Sequence, residues 1–92
     1  MDKFEAMRVF CSVIEAGSFV AAAERSGLST TAVSRLVAQL EMQLNVRLIN
    51  RTTRRLALTE AGIRYLQRCE KILEEIREAE EEAGIAQVDP KG

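Results

Sequence analysis

The sequence predicts a mainly α-helical fold: three short helices, a two-stranded hairpin, then a long fourth helix. Three observations predict it. Apolar residues recur at helical spacing over residues 3–16, 28–44 and 60–83. Gly, Ser and Asn punctuate these runs where helix starts and stops belong. Between residues 46 and 58 the period shortens to rough alternation, the pattern of short strands.

The length, 92 residues, allows one small domain and little more. Only four aromatics (Phe4, Phe10, Phe19, Tyr65) supply bulk, so the core must come mostly from Leu, Ile, Val and Ala. Charged residues at Asp2, Lys3, Glu5 and Arg8 leave no apolar signal segment. No run approaches the roughly 20 apolar residues of a membrane span, so a cytoplasmic protein is expected. The chain has no His, and Cys11 and Cys69 stand far apart, which excludes the usual spacing of a metal or redox site. Both read as small buried hydrophobes. The net charge of −1 hides a division. Residues 1–68 carry ten Lys/Arg against six Asp/Glu, whereas residues 69–92 carry three against eight. That asymmetry suggests a basic working surface and an acidic, solvated extension.

The first helix spans residues 3–16, with Phe4, Met7, Phe10, Val13 and Ile14 on one face and Val9 broadening it. Gly17 stops it, because Gly tolerates a left-handed helix end. Ser18 is the candidate cap of a second helix, about 19–25, whose Ala21-Ala22-Ala23 run lets another helix approach closely. In the turn Ser26-Gly27-Leu28-Ser29, Gly27 permits positive φ, Leu28 plugs the core and Ser29 caps the third helix. Two short helices joined by a Gly-containing turn have the form of a helix-turn-helix.

The third helix turns Val33, Leu36, Val37, Leu40 and Leu44 to one side, and Asn45 closes it. Its other side carries Thr31, Ser34, Arg35, Ala38 and Met42. A helix in a DNA major groove needs small side chains for close approach, hydroxyls for phosphates and base edges, and an Arg that can fork onto guanine. The structural alternative pairs Arg35 with Glu41 or Glu24.

Arg47-Leu48-Ile49-Asn50 and Arg55-Leu56-Ala57-Leu58 read as two strands joined by Arg51-Thr52-Thr53-Arg54. A two-stranded ribbon after a helix-turn-helix is a wing. Turns favour Gly, Asn and Asp, so four Arg within nine residues point to phosphate or minor-groove contact.

Thr59 caps the long helix, 60–83, with Glu60 near its positive end. Leu66, Cys69, Leu73 and Ile76 form an apolar stripe, widened by Ile63, Ile72 and Ala79. At about 1.5 Å per residue the helix reaches roughly 36 Å and overhangs its own domain. An overhanging apolar stripe predicts a homodimer with Leu66, Cys69, Leu73 and Ile76 in the seam, and with Val9 and Val13 offering surface to the partner's helix. Residues 84–92 read as a linker.

These residues resemble the N-terminal DNA-binding region of LysR-type transcriptional regulators. The resemblance rests on Phe10, Glu15-Ala16-Gly17-Ser18-Phe19 and Ala21-Ala22-Ala23, on Leu28-Ser29 and Ala32-Val33-Ser34-Arg35, and on Leu40-Glu41. It continues through Leu48, Arg51-Thr52 and Leu58-Thr59-Glu60-Ala61-Gly62, so it covers nearly the whole chain. It implies a winged helix-turn-helix (three-helix core plus two-stranded wing) over 1–58, a linker helix over 59–83 that pairs antiparallel in a dimer, and the start of an interdomain linker over 84–92. A C-terminal domain sensing a small metabolite is implied beyond this fragment, and no cofactor within it. The family's DNA-contacting positions fall on Ser29, Thr30, Thr31, Ser34 and Arg35, and on the wing at Arg51, Arg54 and Arg55. Many members have Gln at the position of Thr30 and Pro or Ser at that of Thr31. Losing the Gln removes a side chain able to grip adenine with two hydrogen bonds. Asn45 replaces a common Gly, and Ile49 a common Phe or Leu.

The expected function is sequence-specific binding of double-stranded DNA by a homodimer on an inverted-repeat operator. A protein-interaction module that has lost DNA binding has no use for Arg35 and a basic wing. An enzyme is not expected, because the chain holds no nucleophile–base pair and no Gly-rich phosphate loop.

Overall fold

The computed structural model describes residues 2–51 and 55–88, with side chains as far as Gly84. Four helices follow in order: α1 (Lys3–Ala16), α2 (Phe19–Ser26), α3 (Thr30–Leu44) and α4 (Glu60–Val88). No helix among the described residues is long and apolar enough to cross a membrane.

Each boundary has a local chemical cause. Asp2, Ser18 and Ser29 accept the amides of Glu5, Ala21 and Ala32, satisfying donors that the first helical turn leaves open. Gly17 and Gly27 end α1 and α2 with φ of 86° and 70°. Asn45 does the same for α3 with φ of 57°. There the Val46 amide reaches back to the Glu41 carbonyl and the Asn45 amide to Met42, the paired bonds of a Schellman end.

α1, α2 and α3 pack around Phe10, Val13, Val33, Val37 and Leu40, all fully buried. Ala22 and Ala23 are buried too, so the small residues of α2 do admit close neighbours. Phe4 departs from its expected place on the core side and stands exposed. Val9 and Val13 are buried inside the chain's own core, so the surface they were expected to offer a partner is already used.

The expected two-stranded wing shrinks, among the described residues, to one antiparallel bridge between Ile49 and Leu58. It is flanked by the bonds Asn50 N–H to Ala57 O (2.8 Å) and Thr59 N–H to Leu48 O (3.0 Å). A competing acceptor accounts for part of this: the Leu48 amide, which a paired strand would use, donates to the Glu41 carboxylate, and so does the Ile49 amide on the outer edge.

α4 runs to Val88, five residues past the expected end at 83, so residues 84–88 are helix and not linker. An isolated Gly such as Gly84 costs only about 1 kcal/mol, too little to stop a helix. Arg77 bonds Glu74 and Glu81 on adjacent turns of the same face, which supports the overhanging part locally. The hydrogen bond from Arg77 also holds the Glu74 carboxyl below the usual carboxylate range.

The first half of α4 folds back onto α1. Cys69 is fully buried there, and Leu66, Leu73 and Tyr65 are half-buried against the same core. Tyr65 packs on Phe10 with ring centroids 5.9 Å apart. Cys11 and Cys69 are both free thiols. The hydrogen bond to Cys69, together with burial, pushes the Cys11 thiol above its ordinary value. Burial and the same Cys69 sulfur push the Tyr65 hydroxyl up to about 12. At neutral pH the Cys11 thiol and the Tyr65 hydroxyl are uncharged and act as packing.

Candidate nucleic-acid interface

α3 is held by its inner side and leaves its outer side bare. Val33, Val37 and Leu40 anchor it with no exposed area, Leu36 packs beside them, and the other residues between them face outward. Ser29, Thr30, Thr31, Ser34 and Arg35 are all exposed, together with Ala38 and Met42. Of these, the Ser29 hydroxyl is spent as the helix cap. Arg35 pairs with neither expected alternative: Glu41 points inward, and no described residue forms an ion pair with Arg35. The bare side of α3 is thus a convex surface of hydroxyls and methyls with one guanidinium.

Beside it lies a node built on Glu41, the one buried charged residue among those described. Its Oε2 accepts the amides of Leu48 (2.7 Å) and Ile49 (3.1 Å). Its Oε1 accepts Arg51 Nη2 at 2.8 Å and faces Arg47 Nη1 at 3.6 Å. Burial alone would raise its pKa, but the Leu48 amide, the Arg51 hydrogen bond, the Ile49 amide and the Arg51 charge outweigh that. The carboxyl is held below the usual range and is ionised at neutral pH.

The wing arginines therefore differ from one another. Arg51 is drawn to Glu41, and its guanidinium lies 5.7 Å from the centre of the Phe19 ring. Arg47, whose side chain is 70% exposed, and Arg55 face solvent. Arg54, expected at the wing tip with Thr52 and Thr53, lies outside the described residues.

Thr59 closes the site from the other side. Its hydroxyl accepts the Gly62 amide (2.9 Å), capping α4, and donates to the Arg47 carbonyl (2.6 Å). It ties the start of α4 to the segment that leaves α3.

Of the residues expected in a dimer seam, Cys69 is wholly inside its own domain, and Leu66, Leu73 and Ile76 are half-buried in the single chain. Periodicity alone does not separate the core residues of a helix from apolar residues that lie on the adjacent strip. Among the described residues, the large apolar side chains of α4 left exposed are Ile63 and Ile72.

Sequence reasoning treated Glu41 only as part of a motif, or as a partner for Arg35. A signal was available. Glu41 falls four residues after Val37 on the apolar stripe, and a carboxylate there requires buried donors. Arg47 and Arg51 follow within reach.

Comparison with known proteins agrees with this geometry. Residues 4–63 match the family model described as bacterial regulatory helix-turn-helix protein, lysR family. The transcriptional regulator CrgA of Neisseria meningitidis is 47% identical over 88 residues, covering 96% of this chain and 29% of that protein. The transcriptional activator AaeR of Escherichia coli K12 is 43% identical over 82 residues, covering 89% of this chain and 26% of that one. The chain thus spans about a quarter of the length of these relatives. The structure of CrgA superposes with a TM-score of 0.76 over 90% of this chain and 28% of that one. The BenM_DBD/catB site 1 DNA complex superposes with a TM-score of 0.88 at 25% identity, over 95% and 92% of the two chains. The chain belongs to the lysR family of bacterial regulatory helix-turn-helix proteins, and the matched residues run from α1 through α3 to the first turn of α4.

Proposed function

We propose that this chain reads operator DNA by laying the bare side of α3 in the major groove. The observation that carries the reading is Arg35, exposed among hydroxyls, without an ion-pair partner among the described residues, and fixed by a buried stripe on the opposite side. In this reading Arg35 forks onto a guanine edge, and Thr30, Thr31 and Ser34 meet base edges and phosphates. Ser29 stands at the helix start, where its amide neighbours favour a phosphate. Arg47, Arg54 and Arg55 supply charge to the flanking backbone or minor groove.

One such module covers too little DNA for useful specificity, so the reading includes a homodimer through α4 and an inverted-repeat operator. The seam lies on Ile72, Leu73 and Ile76, with Leu66 and Cys69 kept inside each domain. α4 has 29 residues, about 43 Å at 1.5 Å each, enough to set two modules about 34 Å apart. A small-molecule effector would act through a further domain of the whole regulator.

A salt titration of binding to duplex DNA tests the reading. DNA binding predicts that log K falls linearly with log salt and that one sequence is preferred over random duplex. Absence of any salt-dependent DNA binding would mean that the fold has been turned to another use.

A further inference from the structure

The basic segment that leaves α3 is fastened to that helix by one buried carboxylate. Glu41 Oε2 takes two successive amides, Leu48 and Ile49, and Oε1 takes the Arg51 guanidinium at 2.8 Å. The acceptor therefore belongs to α3, while all three donors belong to the segment that follows it. Arg51 also lies over Phe19, the first residue of α2. Its side chain is 34% exposed, half the figure for Arg47. A guanidinium can hold a carboxylate and cover a ring at once because it is planar and forked.

We propose that Glu41 and Arg51 are positioning residues that set the basic segment against the recognition helix, so that Arg51 raises DNA affinity through Glu41 and not by touching the DNA. This rests on the DNA reading given above. The segment 46–51 carries Arg47 and leads into the remaining wing residues. With Glu41 ionised and Arg51 in place, the charges carried by residues 46–51 are presented at a fixed angle to α3. Without the pin, the Leu48 and Ile49 amides lose their acceptor, and the same charges are spread over many orientations. Affinity then falls although no phosphate contact has been removed.

The test compares Glu41→Gln, Arg51→Gln, Arg51→Lys and the double variant Glu41→Gln/Arg51→Gln, as whole chains on one preferred duplex at several salt concentrations. Thermal unfolding reports that each is folded. Arg51→Gln is expected to weaken binding about tenfold with the salt slope unchanged, and Lys is expected not to restore it. In the Glu41→Gln background the Arg51→Gln loss is expected to vanish, because the pin is already broken. A direct phosphate contact gives the opposite set: the slope drops by about 0.9, Lys restores most of the affinity, and the losses multiply. That set overturns the proposal. If Glu41→Gln does not fold, the salt slope and the Lys comparison at Arg51 decide the matter alone. A wild-type chain that binds no DNA overturns the DNA reading and this assignment with it. A wild-type chain that binds, with the Arg51 loss undiminished by Glu41→Gln, overturns the assignment only.

Discussion

A Cβ placed on Gly62 would stand 2.0 Å from the carbonyl oxygen of Leu48 and 2.9 Å from its carbonyl carbon. The first turn of α4 thus rests directly on the backbone of the segment leaving α3. The same Leu48 carbonyl accepts the Thr59 amide at 3.0 Å. No side chain fits between, and neither backbone is free to retreat.

Gly62→Ala is therefore expected to destabilise the chain strongly. Alanine would gain about 1 kcal/mol of helix propensity. The clash is with backbone, so relief requires α4 to lift off Leu48, and overpacking of this kind costs about 3 kcal/mol at the upper end of its usual range. Urea unfolding should show a net loss of about 2 kcal/mol. A stability equal to wild type would mean that α4 does not seat on Leu48.

Glu41 should leave a signature in acid. Its folded pKa lies below its unfolded value because, against burial, two amides and Arg51 stabilise the charged form. The stability it contributes is then complete above the unfolded value, about 4.3, and is lost as pH falls through the lower folded value. Between pH 7 and 5 it gives no pH dependence. Urea midpoints taken from pH 7 to 2.5 should fall below about pH 4 more steeply for wild type than for Glu41→Gln. Parallel acid limbs for the two proteins would contradict the depressed pKa.

Much of this was legible in the sequence. Gly17, Ser18, Gly27, Ser29, Asn45 and Thr59 act through local backbone chemistry, and each does in the structure what its residue type dictates. The outward side of α3 was legible because its inward side is regular. What escaped depends on partners distant in sequence. Cys69 and Ile72 sit on one amphipathic helix, and only packing against α1 shows that the first is core and the second exposed. Alternation is a strand signal, yet among the described residues the wing shows one bridge, and the Leu48 amide beside it is claimed by a side chain of α3. Gly62 belonged to a recognised motif, but its reason is a carbonyl 14 residues earlier.

The dimer proposal has a direct test in the residues of α4 outside the core. Ile72→Glu with Ile76→Glu should place unpaired carboxylates in the seam and yield monomers by sedimentation at micromolar concentration. The fold should survive, because neither residue is fully buried in the single chain. Binding to an inverted repeat should then fall to the level of a single half-site. A wild-type chain that sediments as a monomer, and binds one half-site as tightly as a pair, would refute the dimer.

The central claim is that α3 reads bases through Arg35. The most direct measurement selects a preferred duplex from random sequence, then compares wild type and Arg35→Ala on that duplex and on its single-base variants. Arg35→Ala is expected to lose about 1–3 kcal/mol of binding and to lose discrimination at one position per half-site, with other positions unchanged. An Arg35→Ala chain that keeps both wild-type affinity and the wild-type preference at every position would contradict it.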